Sequence, residues 1–157
     1  MSILLRRPEP HDAPAMWAAR SRAIRAIPRC YYDEASLSTW ASVPMPAELP
    51  DVIAALESVA AICDGQIVGW GLLDRAAWRL EAMFVDPDYQ RRGIAREMYG
   101  SLEATLKHGG HGLLSVSSTL NAAPFYQRMG FVERERSKYH HPSGFVLDCI
   151  HMDKQIV

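Results

Sequence analysis

The chain is poor in cysteine, and its three, Cys30, Cys63 and Cys149, are too few and too scattered to build a disulfide framework. Free thiols point to a reducing compartment. No apolar run approaches membrane-spanning length. The opening Met1-Ser2-Ile3-Leu4-Leu5-Arg6-Arg7-Pro8 lacks the apolar centre of a signal peptide, so a cytoplasmic protein with no membrane partner is expected. Charge of either sign is not in excess: 17 Lys and Arg against 18 Asp and Glu leave a net charge of -1. Bulk electrostatics therefore gives nucleic acid no purchase. Repeats and low-complexity linkers are absent too. What remains is ordinary globular material, 157 residues with 48% hydrophobic and 22% charged, and it reads as one domain over residues 1–157 with a single core.

Several familiar phosphate and nucleophile motifs are also missing. After Gly93 come Ile94-Ala95-Arg96, not the Lys-Ser/Thr of a P-loop, and a dinucleotide fingerprint would need two more glycines. Ser115, Ser117 and Ser118 lack a Gly-x-Ser-x-Gly elbow. What is present is Met83-Phe84-Val85-Asp86-Pro87-Asp88-Tyr89-Gln90-Arg91-Arg92-Gly93-Ile94-Ala95-Arg96. It reads as an apolar strand, a Pro-containing turn, a small-residue loop and a helix start. Such a helix start presents backbone N–H groups without partners, and the helix dipole favours an anion there. Gly93 permits close approach, and Arg91, Arg92 and Arg96 add positive charge. A pyrophosphate suits this cup, although a glycine and surface arginines also occur in plain strand-to-helix turns.

The stretch resembles the acyl-CoA signature of the GNAT superfamily of N-acetyltransferases, Gln/Arg-x-x-Gly-x-Gly/Ala, with Gln90, Gly93 and Ala95 at its fixed positions. A second block, Asn121-Ala122-Ala123-Pro124-Phe125-Tyr126-Gln127-Arg128-Met129-Gly130-Phe131, is similar to that family's Asn-x-x-x-Phe-Tyr-x-x-x-Gly-Phe pattern. Tyr32 with Leu37 before Trp40 resembles YafP-like bacterial members. The resemblance implies an α/β (α+β) GNAT fold, a mixed, mostly antiparallel twisted sheet of about seven strands flanked by helices.

The residue pattern on its own gives a compatible order. Ile3 to Arg6 reads as a strand, and Asp12 as an N-cap for a helix running toward Pro28. A short helix from about Asp33 to Trp40 precedes a loop from Ser42 to Pro50 and a helical piece at 52–56. Val59 to Cys63 and Gln66 to Leu73 flank the hairpin signal Asp64-Gly65, and Trp78 to Val85 is a third strand. The helix after Gly93 carries Met98, Leu102 and Leu106 on one face and stops at Gly109-Gly110. Leu113 to Ser117 is a strand, Ala122 to Met129 a helix, and strands near 131–133 and 145–152 close the chain. The strand–helix–strand unit from Trp78 to Ser117 requires one parallel pairing.

The resemblance also assigns roles. Main-chain atoms of Met83, Phe84 and Val85 would pair with pantetheine, and the segment Gln90, Arg91, Arg92, Gly93, Ile94, Ala95 and Arg96 would hold the pyrophosphate of acetyl-CoA. Asn121 would contact the pantetheine or pyrophosphate arm, and the Tyr126 hydroxyl would lie near the thioester sulfur. Apart from the resemblance, Asn121 is a good N-cap and Tyr126 a half-buried helix aromatic. A phenol with a pKa of about 10 stays protonated at neutral pH and can serve a leaving thiolate as general acid. The attacking amine, with a pKa of about 10.4, is free base in roughly one molecule per 2,500 at pH 7, so a base is wanted. Glu81 is the candidate: residues 81, 83 and 85 share one face of the strand leading into the loop. A carboxylate paired with Arg79 or Arg75 is the alternative.

The acceptor is a small-molecule or protein amine. Tyr31 and Tyr32, with Asp33, Glu34 and Trp40, lie in the region expected to wall its site. No metal is expected, since Cys149 and His151 lack partners and His108-Gly109-Gly110-His111 reads as a helix end. A monomer or homodimer fits. Two function classes stand at this point. One is an acyl-CoA N-acetyltransferase working by direct attack in a ternary complex. The other is a non-catalytic acyl-CoA sensor acting on a partner, for which a donor beside sulfur has no use.

Overall fold

Asp64 and Gly65 both take positive φ, 50° and 77°, which closes a two-residue hairpin between β2 (Glu57–Cys63) and β3 (Gln66–Asp74). Around that hairpin a computed structural model, describing residues 2–107 and 110–157, places one seven-stranded sheet in the order β1-β2-β3-β4-β5-β7-β6. β1 (Leu4–Arg6) is an edge strand. Between β1 and β2 the chain forms α1 (Ala13–Arg25), α2 (Glu34–Ala41) and α3 (Leu49–Ala55). β4 (Arg79–Val85) leads to α4 (Ile94–Ala104), then β5 (Gly112–Thr119), α5 (Ala123–Arg128), β6 (Val132–His140) and β7 (Val146–Ile156). All pairings are antiparallel except that of β4 with β5. No helix among the described residues is long and apolar enough to cross a membrane.

The two sheet faces bury different helices. Met98, Tyr99 and Leu102 of α4 pack with Val68, Leu73, Leu80, Leu114, Val116, Ile150 and Met152. Met16 and Ala19 of α1, with Leu49 and Ile53 of α3, cover Ile67, Trp70 and Leu72 on the opposite face. Trp70 fixes this second layer further, because its indole donates to the Met16 carbonyl at 2.6 Å. α4 sits unusually close to β3 because two residues there have no side chain. A Cβ on Gly71 would stand 3.0 Å from Leu102 Cδ1, and one on Gly69 would stand 3.1 Å from Met98 Cε.

β4 and β5 pair over only two rungs, Arg79↔Ser115 and Leu80↔Val116. Beyond them β4 continues along β3 to Val85 and β5 continues along β7 to Thr119, so the sheet splits. The register between β3 and β4 passes from Leu72↔Ala82 to Leu73↔Leu80, which leaves Glu81 as the extra residue of a bulge. A bulge bends its strand and raises the local twist, and this one lies at the point where the strands part. It also corrects the simple alternation read from sequence. Leu80, Met83 and Val85 face the α4 layer, Ala82 and Phe84 face the α1 layer, and Glu81 stands outside that period.

Other differences have local causes. Asp12 stands at the N-cap position of α1, but its carboxylate does not cap that helix: it accepts from Arg6 at 2.8 Å and, in a capping box with Glu9, from the Glu9 N–H at 2.7 Å. Pro50 opens α3 instead of ending a loop, a position that needs no N–H. α4 stops at Ala104, ahead of the expected stop at Gly109-Gly110; Gly109 lies outside the described residues, and Gly110 takes φ 93°. β6 runs nine residues, because its alternating charges suit a solvent-facing edge strand.

Gly71→Val is expected to lower stability by about 1–3 kcal/mol, the usual cost of overpacking a filled core. A reduced urea midpoint with an unchanged slope would carry that result.

Candidate functional site

The strand-to-helix loop begins at Asp86, which is buried and locked from three sides. Its N–H donates to the Val68 carbonyl at 2.8 Å, its Oδ1 accepts from the Asp88 N–H at 3.0 Å, and its Oδ2 takes Arg22 of α1 at 2.7 Å. Sequence reasoning passed over this residue, although an Asp before Pro after a strand is a turn signal. Gln90 closes the loop by donating to the Val85 carbonyl at 3.0 Å. Arg91 and Gly93 both adopt left-handed backbone, φ 64° and 80°. For Arg91 that conformation carries strain, and strain of this kind gathers at functional loops. Arg92 lies over the Tyr89 ring, 5.2 Å from its centroid, while Arg96 is exposed.

Gly93 is also the N-cap of α4, so no side chain caps the helix. The first backbone bond of the helix is Glu97 N–H to Gly93 carbonyl at 3.1 Å, which leaves the N–H groups of Ile94, Ala95 and Arg96 without helical acceptors. Nothing stands within 4 Å of where a Gly93 Cβ would point. The buried Ile94 side chain anchors the turn below, and Ala95 is half-buried.

Beside this cup lies the split. On its β4 side, Met83, Phe84 and Val85 pair with β3 and have no strand partner toward β5 among the described residues; the Val85 carbonyl takes Gln90 instead. On its β5 side the chain turns through Leu120 and Asn121 into α5. Asn121 is not the N-cap of that helix; Ala122 is, and Asn121 Oδ1 is buried without a hydrogen-bond partner among the described residues. Orphaned buried acceptors are rare and call for a reason.

Tyr126, on α5, is 6% exposed and its ring packs edge-on against Phe125 and Phe131 at 5.2 and 5.5 Å. Burial pushes its phenol well above the ordinary tyrosine range. Burial does the same to Tyr99, helped by the nearby Glu103 carboxylate. Glu81 is exposed, and its Oε1 lies 3.4 Å from Arg79 Nε; Arg75 pairs instead with Glu57. Tyr126 belongs to the α4-side layer, whereas Arg79 reaches the serine row of β5 that faces the other way.

The two tyrosines expected at the acceptor wall separate. Tyr31 is exposed. Tyr32 is buried, and its hydroxyl donates to the Asp148 carbonyl at 2.6 Å while accepting from the Leu120 N–H at 2.9 Å. It thereby ties the segment before α2 to β7 and to the turn that carries Asn121. Asp33 caps α2 through the Ser36 N–H at 2.7 Å.

A family model described as an acetyltransferase (GNAT) domain matches residues 30–147. The uncharacterized N-acetyltransferase YafP of Escherichia coli K12 is 28% identical over 130 residues, 83% of this chain and 81% of that one. The crystal structure of a GCN5-related N-acetyltransferase from Rhodopseudomonas palustris is similar with a TM-score of 0.86 at 26% identity, covering 99% of this chain and 97% of that one. The PaiA N-acetyltransferase from Thermoplasma acidophilum, solved in complex with coenzyme A, shares the fold with a TM-score of 0.75 at 18% identity, over 99% and 100% of the two chains.

Unfolded phenols ionise near pH ~10, while the folded chain holds the protons of Tyr99 and Tyr126 to higher pH. The stability they contribute is therefore complete below about pH 10 and falls as pH rises past it, because the unfolded state then binds fewer protons. Urea midpoints measured between about pH 8 and 11 are expected to drop, and Tyr126→Phe to drop less steeply.

Proposed function

The chain belongs to the acetyltransferase (GNAT) family, and from that premise we propose that residues 1–157 form a single domain that moves an acetyl group from acetyl-CoA to a primary amine by direct attack. The observation that carries this reading is the split between β4 and β5 with an uncapped helix N-terminus at its end. An extended ligand arm suits the side of Met83 to Val85 that has no partner strand toward β5, much as an added strand would. A pyrophosphate suits the N–H groups from Arg91 to Arg96, and the open space at Gly93 admits it. The orphaned Asn121 Oδ1 suits an amide donor of the pantetheine arm. The residues present thus fit the group.

When bound, acetyl-CoA supplies an acyl thioester activated toward amines. The protein's own groups do the rest. A main-chain N–H of Met83 to Val85 would polarise the carbonyl as charge develops on its oxygen. Tyr126, kept protonated by burial, gives its proton to the sulfur when the C–S bond breaks. Glu81 takes a proton from the attacking nitrogen as the C–N bond forms. Tyr31, exposed before α2, lines the approach of the amine. The three free thiols suit a reducing compartment, and the cytoplasm is the proposed location.

Calorimetric titration with acetyl-CoA tests the cup. Binding near about micromolar Kd is expected for the natural chain and its loss for Gly93→Glu, which puts a carboxylate where the pyrophosphate would sit. A folded natural chain that binds nothing would remove the cofactor and the reading with it. Tyr126→Phe is expected to keep acetyl-CoA affinity and lose about 10²-fold in kcat for amine-dependent CoA release. Unchanged turnover would reassign the acid.

A further inference from the structure

A pocket of about 230 Å³ opens beside the split, lined among others by Arg79, Ser115, Ser117, Arg134, His151 and Asp153. Along β5, Leu114 and Val116 face α4, so Ser115 and Ser117 face the opposite way, and the register sets His151 of β7 directly against Ser117. The last rung between β4 and β5 is Leu80↔Val116, which makes Ser117 the first residue of β5 at the mouth of the split. Its hydroxyl lies 3.0 Å from His151 Nδ1 and 3.3 Å from Arg79 Nη2. A guanidinium can only donate, so Ser117 Oγ accepts from Arg79. With the ring proton of His151 on Nε2, Nδ1 is an acceptor for the serine's own hydrogen, and that tautomer is the one a relay through the pair uses. The imidazole is exposed, with bulk water on hand to take a proton from it.

We infer that Ser117 and His151 form a relay that removes the first proton from the acceptor's ammonium group. The inference rests on the transferase reading above. An ammonium must lose that proton before its nitrogen has a lone pair to attack with. Imidazole is the side chain suited to taking a proton near neutrality, whereas a carboxylate is far weaker as a base. The charged neighbours are arranged to leave this pair to its task. Arg134 is engaged by Asp153 at 2.8 Å, Arg79 by Glu81 at 3.4 Å, and Glu135 stands across from His151 on β6. On the same face of β7, His151 has buried Cys149 on one side and Asp153, the partner of Arg134, on the other. Arg79 also adds positive charge beside the incoming ammonium, which favours its neutral form.

The protons balance. The ammonium proton passes to Ser117 Oγ as the serine's own proton moves to His151 Nδ1, and the imidazolium returns one to solvent. The nitrogen lone pair then forms the C–N bond, and its second proton goes to Glu81. The C–S electron pair leaves with sulfur, which takes the Tyr126 proton, and Tyr126 regains one through solvent from Glu81. One proton enters solvent per acetyl group moved. Acid and relay sit on opposite faces of the sheet, so the amine enters from the pocket side and meets Tyr126 beyond the reacting carbon.

The test uses the whole chain and the fastest acceptor found among primary amines and peptides with free N-termini, read by CoA thiol release. Ser117→Ala and His151→Gln are each expected to lose about 10²-fold in kcat/KM at neutral pH while acetyl-CoA affinity stays the same. The acidic limb of the kcat/KM profile is expected to vanish in His151→Gln. In ¹⁵N NMR of the natural chain, His151 Nδ1 is expected unprotonated, with that preference lost in Ser117→Ala. Variants with the natural rate and pH profile, or a protonated Nδ1, overturn the relay and leave the transferase standing. A natural chain that binds acetyl-CoA and releases CoA with no amine overturns the transferase reading, and the relay falls with it.

Discussion

A sheet that fails to stay paired is the constraint from which the rest of this molecule follows. β4 and β5 share two rungs and then part beside the Glu81 bulge, leaving backbone donors and acceptors facing a gap. Main-chain groups at the gap lack the partners that a continuous sheet would give them, and an extended segment laid between β4 and β5 would supply them. The connection between the two strands, through α4, then sets a helix N-terminus at the end of the gap, and the connection after β5 sets Asn121 and Tyr126 on its other side. One irregularity in register thus opens a slot with an uncapped helix N-terminus at its end and the orphaned Asn121 oxygen on its β5 side.

Such a slot holds its width only if both walls are tied back. Arg22 on Asp86 fastens the β4 side to α1, and Trp70 fastens the underlying strand to the same helix. The helices over that face are themselves clasped by Arg20, which is nearly fully buried. Its guanidinium donates to the Trp40 carbonyl at 3.0 Å at the end of α2 and lies 4.1 Å above the Trp17 ring. Burial lowers its pKa to about 10, so it remains charged at neutral pH, where the C-terminal end of a helix favours a cation. On the other wall, the Tyr32 hydroxyl holds the turn before Asn121. The segment expected to meet the acceptor is therefore also a brace for the turn that carries Asn121.

Much of this was legible in the chain because it depends on local chemistry. Asp64-Gly65 can hardly be anything but a hairpin, and Gly93 before an amphipathic run marks a helix start whatever the tertiary context. The parallel pairing followed from the distance between Trp78 and Ser117. What escaped depends on register or on distant partners. No local signal marks Glu81 as a bulged residue, since its neighbours alternate well enough on paper. Asp12, Tyr32 and Arg20 each take partners chosen by folding, and Tyr32 bonds a carbonyl 116 residues away. Asn121 looked like a cap because Asn usually is one; only the position of α5 makes its oxygen an orphan.

The sheet order has a consequence for how such a chain is made. β7 lies between β5 and β6, yet it is the last of the seven strands in sequence. A ribosome therefore delivers β5 with one long edge exposed, and β6 with nothing to join, until residues 146–156 have emerged. The first four strands and the three early helices can assemble while translation proceeds, but β5 and β6 gain the strand that lies between them only with residues 146–156. During the interval, the unpaired edge of β5 is the surface most in need of a chaperone.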